Sequence, residues 1–406
     1  MKKKFLALVT ASALALSLAA CGGSSSSAAS SSAASGAPAA SGATSGAASG
    51  SAGGTFKIGV IGPLTGENAI YGQAVANGAQ IAVDEINAEG GAIQFEMKSE
   101  DDVADGETSV NAYHNLQDWG MQVLVGPTTT GASTAVAAEA YNDRVFMLTP
   151  SASSTDVVSG KDNVFQVCFT DPNQGTGAAD YMAENMADSK IAVIYRNDDA
   201  YSQGIHDTFV SEAAAKGLDI VYEGTFTADT ATDFSVQLTG AQSAGADTIF
   251  LPMYYQPASV ILNQANAMGY APTFFGVDGM DGILTMEGFD PALAEGVMLL
   301  TPFSADATDE LTQNFVSAYQ AAYGDIPNQF AADAYDAVYA VKAALEAAGC
   351  TSDMDAATIC EAMVAAMPTI SVDGLTGKGM TWAATGEVSK APMAVVIKDG
   401  AYTLPD

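Results

Sequence analysis

One stretch, residues 121–154, constrains the fold of this chain more than any other. It reads MQVLVGPTTTGASTAVAAEAYNDRVFMLTPSASS. The apolar run Val123-Leu124-Val125 is stopped by Gly126-Pro127. Three threonines and Gly131-Ala132-Ser133 come next, then an alanine-rich segment as far as Tyr141. A second apolar run, Val145-Phe146-Met147-Leu148, stops at Thr149-Pro150, and Ser151, Ser153 and Ser154 follow. Short apolar runs bounded by Gly and Pro read as strands, and the segment between them reads as a helix. Strands joined by a crossover helix run parallel. Both hydroxyl-rich turns then fall on the carboxyl edge of one sheet, where open α/β sheets bind ligands. The first turn also opens a helix, whose free N–H groups and dipole favour an anion. These threonines and serines can cradle a carboxylate, or serve only as helix caps and turn formers.

The chain starts with Met1-Lys2-Lys3-Lys4 and an apolar segment over residues 5–20. That segment is too short and too poorly flanked for a stable spanning helix, so residues 1–20 read as a secretory signal. Leu18-Ala19-Ala20-Cys21 resembles the lipobox of bacterial lipoproteins, which implies that Cys21 becomes the lipid-bearing first residue. Residues 21–54 are almost wholly Ser, Ala and Gly. Such a chain cannot bury a core and forms a flexible tether. An anchor, a slack leash and a globular body place the expected protein on the outer face of the cell membrane.

Roughly 350 residues remain, more than one ordinary domain, and two lobes is the natural division. The formal net charge of −33 repels nucleic acid and anionic lipid. There is no CxxC and no HExxH, and His114 and His206 fall in unrelated helical segments. Glu100-Asp101-Asp102, with Asp105-Gly106 after it, lacks calcium-loop spacing, because Ala112 stands where the closing glutamate is needed. It reads as a solvated turn after a strand. No metal and no cofactor are expected. Cys350 and Cys360 are close in sequence, and an oxidising exterior permits a local bridge between them; two free thiols is the alternative. Cys168, within Val164-Phe165-Gln166-Val167-Cys168-Phe169, reads as a buried strand residue.

Strands and helices alternate along the rest of the chain, which argues for parallel sheets covered on both faces. In the first lobe, strands are expected over residues 56–61 and 93–98 and helices over 71–88 and 110–119. Tyr71 follows the first strand-end turn and should sit on the same carboxyl edge. A second sheet is expected from residues 190–195, 220–226, 248–253, 273–277 and 297–301. Tyr201, Tyr254 and Asp278 follow strand ends there. If the two edges face each other, hydroxyls oppose two tyrosines and a carboxylate. Hydroxyls at a helix N-terminus suit a carboxylate, Asp278 suits an ammonium, and tyrosines supply apolar walls with polar tips. Together they match a zwitterion, an α-amino acid.

The chain from about Thr55 onward resembles the type I solute-binding proteins of ABC importers, specifically the leucine/isoleucine/valine-binding group. The resemblance rests on Ile58-Gly59-Val60-Ile61-Gly62-Pro63-Leu64-Thr65-Gly66, Gly72-Gln73, Asn77-Gly78-Ala79 and Glu85-Ile86-Asn87-Ala88-Glu89-Gly90-Gly91. It continues through Val125-Gly126-Pro127, Thr149-Pro150-Ser151-Ala152, Ala200-Tyr201-Ser202-Gln203-Gly204 and Ala334-Tyr335-Asp336-Ala337-Val338. By resemblance, the carboxylate-binding hydroxyl falls on Thr130, with Thr129 one place off. A second backbone-and-hydroxyl contact falls on Ser151, Ala152 and Ser153. The ammonium-binding acid, commonly glutamate in this group, falls on Asp278, and the aromatic walls on Tyr71, Tyr201 and Tyr254. The shorter acid departs from the branched-chain pattern.

The resemblance implies two Rossmann-like α/β lobes joined by a multi-segment hinge, the type I periplasmic binding protein fold. Lobe 1 is expected to comprise residues 55–171 and 302–371, and lobe 2 residues 172–301 and 372–406. The implied protein is a monomeric, lipid-anchored binding protein. It would deliver an amino acid, branched-chain by default, to a permease with ATPase subunits. A sensor ectodomain is the alternative binding role. An enzyme on the same scaffold is disfavoured, because no nucleophile elbow, phosphate loop or metal set occurs.

Overall fold

The computed structural model describes residues 53–405. The expected signal, the lipid-bearing Cys21 and the tether up to residue 52 lie outside the described residues. The first strand, β1 (Gly54–Gly62), is buried from Ile58 to its end, as a central parallel strand must be. Helix α1 (Ala69–Glu89) ends where Gly90 turns left-handed at φ 66°. Next come β2 (Ile93–Asp101), α2 (Gly106–Trp119), β3 (Val123–Val125), α3 (Thr130–Asp143), β4 (Phe146–Thr149) and β5 (Val164–Gln166). The five strands form an all-parallel sheet in the order β2-β1-β3-β4-β5.

The second sheet is fed by α4 (Asp171–Asn185), β6 (Lys190–Arg196), α5 (Ala200–Lys216), β7 (Asp219–Phe226) and α6 (Ser235–Ala244). It continues through β8 (Thr248–Leu251), α7 (Tyr255–Met268), β9 (Thr273–Gly276) and β10 (Met298–Thr301). The chain then leaves this sheet for α8 (Glu310–Tyr323), α9 (Gln329–Ala348) and α10 (Ala356–Ala366). α8 and α9 pack on α1, and α10 packs on β4. Finally β11 (Met393–Lys398) and β12 (Ala401–Thr403) add antiparallel to the second sheet, giving β12-β11-β10-β9-β8-β6-β7. The turn between them is Asp399-Gly400, both at positive φ (52° and 74°), as a two-residue hairpin requires. The architecture is α/β, with two mainly parallel sheets flanked by helices.

Two expectations need correction. The run at residues 100–102 is not a solvated turn. Asp101 ends β2 and accepts from the Leu64 and Thr65 N–H groups (2.8 and 3.3 Å). Asp102 is fully buried and accepts from Ala104 N (2.9 Å) and Ser109 Oγ (2.9 Å). Both carboxylates satisfy loop N–H groups that no strand partner reaches. Asp171-Pro172, at the expected end of the first stretch of lobe 1, forms the first turn of α4, capped by Thr170, where proline loses no helical bond. Cys350 and Cys360 form no bridge, and both are free and buried. Cys350 lies just past the left-handed C-cap Gly349, Cys360 is on the inner face of α10, and each packs as a small apolar residue. The second sheet resumes at Met393. Before that, Gly386 O accepts from Gln166 N (2.9 Å), Trp382 Nε1 donates to Gln166 O (2.8 Å), and Leu375 and Thr376 donate to Asp336.

Candidate ligand-binding site

Among the described residues, six α-helices begin with a side-chain cap, from Asp105, Thr170, Asp199, Asp309, Asn328 and Asp355. At α3 the N-cap residue Thr129 is extended (φ −95°, ψ 153°), but its hydroxyl makes no cap bond. The turn is held by its neighbours instead. Ser133 Oγ and Thr149 Oγ1 donate to Pro127 O (2.8 and 2.7 Å), and Ser151 Oγ donates to Thr128 O (2.7 Å). With the turn fixed this way, the hydroxyls of Thr129 and Thr130 are buried and have no hydrogen-bond partner. The first-turn N–H groups of any helix also lack intrahelical acceptors. Two orphan hydroxyls and a helix N-terminus therefore converge on one spot.

The opposite wall comes from the second sheet. Asp278 lies just past β9 in a single 3-10 turn, and only 5% of it is exposed. Tyr201 OH donates to its Oδ1, while its own N–H donates to Gln174 Oε1 (3.1 Å). Burial pushes the Asp278 carboxyl up to about 7, and the Tyr201 and Gln174 side chains, hydrogen-bonding to the carboxyl, oppose that rise. Tyr71, from α1, donates to Gly279 O and accepts from Tyr255 N (3.2 Å). The rings make a chain across the gap: Phe330 to Tyr71 at 4.3 Å, Tyr71 edge-on to Tyr254 at 5.6 Å, and Tyr254 stacked on Tyr201 at 4.9 Å. These groups line a small pocket with no Lys, Arg or His in its lining.

Seven sequence-selected residues meet here: Tyr71, Thr129, Thr130, Ser151, Tyr201, Tyr254 and Asp278. Ala152 and Ser153 do not reach the lining. The Ala152 N–H is used by Thr149 Oγ1 (3.0 Å), its carbonyl by Gln166 Nε2 (2.7 Å), and Ser153 O by Asp171 N (2.9 Å). Thr128, Gly279 and Phe330 line the pocket without having been singled out. Phe330 sits in the first turn of α9, and the Asn328 cap just before it was the signal available. Among the described residues, no group of three His, Cys, Asp or Glu is placed to hold a metal, and no helix is long and apolar enough to cross a membrane.

A family model described as "Periplasmic binding protein" matches residues 55–401. The chain belongs to that family. Within it, this periplasmic binding protein falls with the branched-chain amino acid group. It is 31% identical over 339 residues to Leu/Ile/Val-binding protein homolog 3 of Brucella melitensis, covering 82% of this chain and 88% of that one. It is 32% identical to the Leu/Ile/Val-binding protein BraC3 of Rhizobium johnstonii, over 74% of this chain and 81% of the relative. Among solved structures it is similar to the branched-chain amino acid transporter substrate binding protein LivJ of Streptococcus pneumoniae in complex with isoleucine. The TM-score is 0.76 at 31% identity, covering 86% of this chain and 98% of that one. These relatives are binding proteins for branched-chain amino acids, and the family is a periplasmic, extracytoplasmic one.

Proposed function

We propose that this periplasmic binding protein is the substrate-binding lipoprotein of an ABC importer, capturing a free α-amino acid between its two sheets and delivering it to a permease with ATPase subunits. One observation carries the reading. The partnerless hydroxyls of Thr129 and Thr130, at the α3 N-terminus, share a cation-free pocket with the buried Asp278 carboxyl. An amino acid's carboxylate completes the first and its ammonium neutralises the second. A monocarboxylate without an ammonium would leave Asp278 an unpaired buried acid, which is costly. The branched-chain group supplies the default ligand, and the aromatic walls Tyr71, Tyr201 and Tyr254 enclose its side chain.

The lobes divide as residues 55–171 with 302–371 and 172–301 with 372–406, the last crossing being completed at Met393, and they close around the ligand as a hinge. Cys21 carries the lipid that holds a monomer to the outer face of the membrane. The test is a thermal-shift screen of the twenty amino acids followed by titration of Asp278→Ala. At least one amino acid should raise the melting temperature, because a ligand that binds only the folded form stabilises it. The variant should bind that amino acid at least tenfold more weakly. No shift with any amino acid at millimolar concentration, or an affinity within twofold in the variant, would sink the reading.

A further inference from the structure

Three residues past Asp278, at the same edge of the second sheet, stands Asp281, another nearly fully buried acid. Its Oδ2 accepts from the backbone N–H of Gln329 (2.8 Å), the first residue of α9. α9 packs on α1, β3 and β4, so it belongs with the first sheet. The side chain of Gln329 reaches back as well, and its Nε2 donates to Asp278 O (2.7 Å). With Tyr71 OH on Gly279 O, the turn that carries Asp278 is gripped from across the cleft at three points. Both partners of each of these bonds belong to the protein.

The two helix N-termini on the first-sheet side are thus in different states. That of α9 already holds a carboxylate, Asp281, where the helix dipole favours one. That of α3 presents only the orphan hydroxyls. We propose that Asp281 and Gln329 form a ligand-independent clasp that draws the two sheets together and sets the position of the Asp278 carboxylate before anything binds. They are positioning residues, acting through Asp278. The clasp populates the closed shape in the free protein, so that a ligand selects a conformation already present instead of building it.

The experiment uses full-length protein without ligand, so its outcome is independent of which solute binds. Asp281→Asn keeps the shape and removes the charge at the α9 N-terminus. Gln329→Glu removes the donor to Asp278 O and sets a second carboxylate beside Asp281. Small-angle scattering should give a larger radius of gyration for both variants, with Gln329→Glu the larger. Amide exchange at residues 328–331 should quicken by about threefold or more, while far-UV circular dichroism stays unchanged. A residue that only supports the fold would lower the melting temperature without changing the radius. If both variants fold and scatter as the parent does, with the Gln329 amide equally protected, there is no clasp. If Gln329→Glu fails to fold, the isosteric Asp281→Asn decides the question alone.

Discussion

Tyr201 donates its phenolic hydrogen to Oδ1 of Asp278 and accepts the N–H of Gly279 at 3.0 Å. The ring is thus pinned between the backbone and the carboxyl of one turn. That donation favours the charged acid, whereas burial opposes it and wins, placing the group at about 7 against an ordinary 3.8.

Amino-acid affinity should therefore fall in mild acid. In the free protein Asp278 takes up a proton as the pH drops through about 7, but in the complex it must be ionised beside the ammonium. Binding then expels a proton, and affinity should weaken by up to about tenfold per pH unit between roughly pH 7 and 5. Calorimetry in buffers of differing ionisation enthalpy reads the released proton directly. Tyr201→Phe removes the donor and should move the midpoint upward. The sign for ligand-free stability is opposite. Between about 3.8 and 7 the folded chain holds the extra proton, so stability from this group is lost as pH rises, and Asp278→Asn should flatten that slope. An affinity constant from pH 8 to 5.5 would leave Asp278 without its assigned partner.

Thr129 and Thr130 should show function and stability pulling apart. A buried hydroxyl without a partner loses its hydration and gains nothing in return. Replacing either by the isosteric valine should leave the ligand-free melting temperature unchanged or raise it. Each should nevertheless weaken amino-acid binding by about tenfold, the worth of roughly 1.4 kcal/mol in a lost hydrogen bond. Paired thermal melts and titrations check both halves, and a fall in stability of the free protein would mean that the hydroxyls are satisfied internally.

Much of this site was legible because strand ends are local signals. Tyr71, Tyr201, Tyr254 and Asp278 each follow a β-rich run broken by turn residues, and parallel order puts such ends on one edge. What escaped came from elsewhere. Phe330 and Gln329 enter from the start of α9, and only tertiary packing brings them against Tyr71 and Asp278. Ala152 and Ser153 sit at the right strand end, yet the Thr149 and Gln166 side chains and the Asp171 N–H use their backbone groups, which no pattern reveals. β12, with three residues, carries too little periodicity to be read. The path of residues 372–390 along β5 and α9 depends on single contacts such as Trp382 to Gln166.

Gly78 shows how a lone glycine can carry a helix interface. A Cβ there would lie 2.0 Å from the carbonyl oxygen of Ala331, so α1 and α9 touch through backbone at that point. A backbone oxygen cannot swing aside, and the helices must separate. Gly78→Ala should cost about 1–3 kcal/mol, as overpacking does, despite the better helix propensity of alanine. Urea denaturation measures it. A variant at least as stable as the parent would mean that the two helices are not held this close.

Lys390 and Asp333 form a buried ion pair, with Nζ to Oδ1 at 2.5 Å and side chains 1% and 4% exposed. The lysine also donates to Val167 O at 3.0 Å, so one ammonium joins the last connecting segment to both α9 and the exit of β5. Burial holds Asp333 up at about 6, and Lys390 is the main influence pulling it down. Lys390→Met strands a carboxyl in the interior and should cost about 3–5 kcal/mol near neutral pH. The penalty should shrink as pH falls, because Asp333, freed of the cation, takes up a proton and becomes neutral. Adding Asp333→Leu to Lys390→Met removes the stranded acid as well and should recover more than half of the loss. Denaturant midpoints for the parent, the single and the double variant at pH 8 and pH 5.5 test this. If the single variant loses as much stability at pH 5.5 as at pH 8, Lys390 acts by packing its stem and not by its charge.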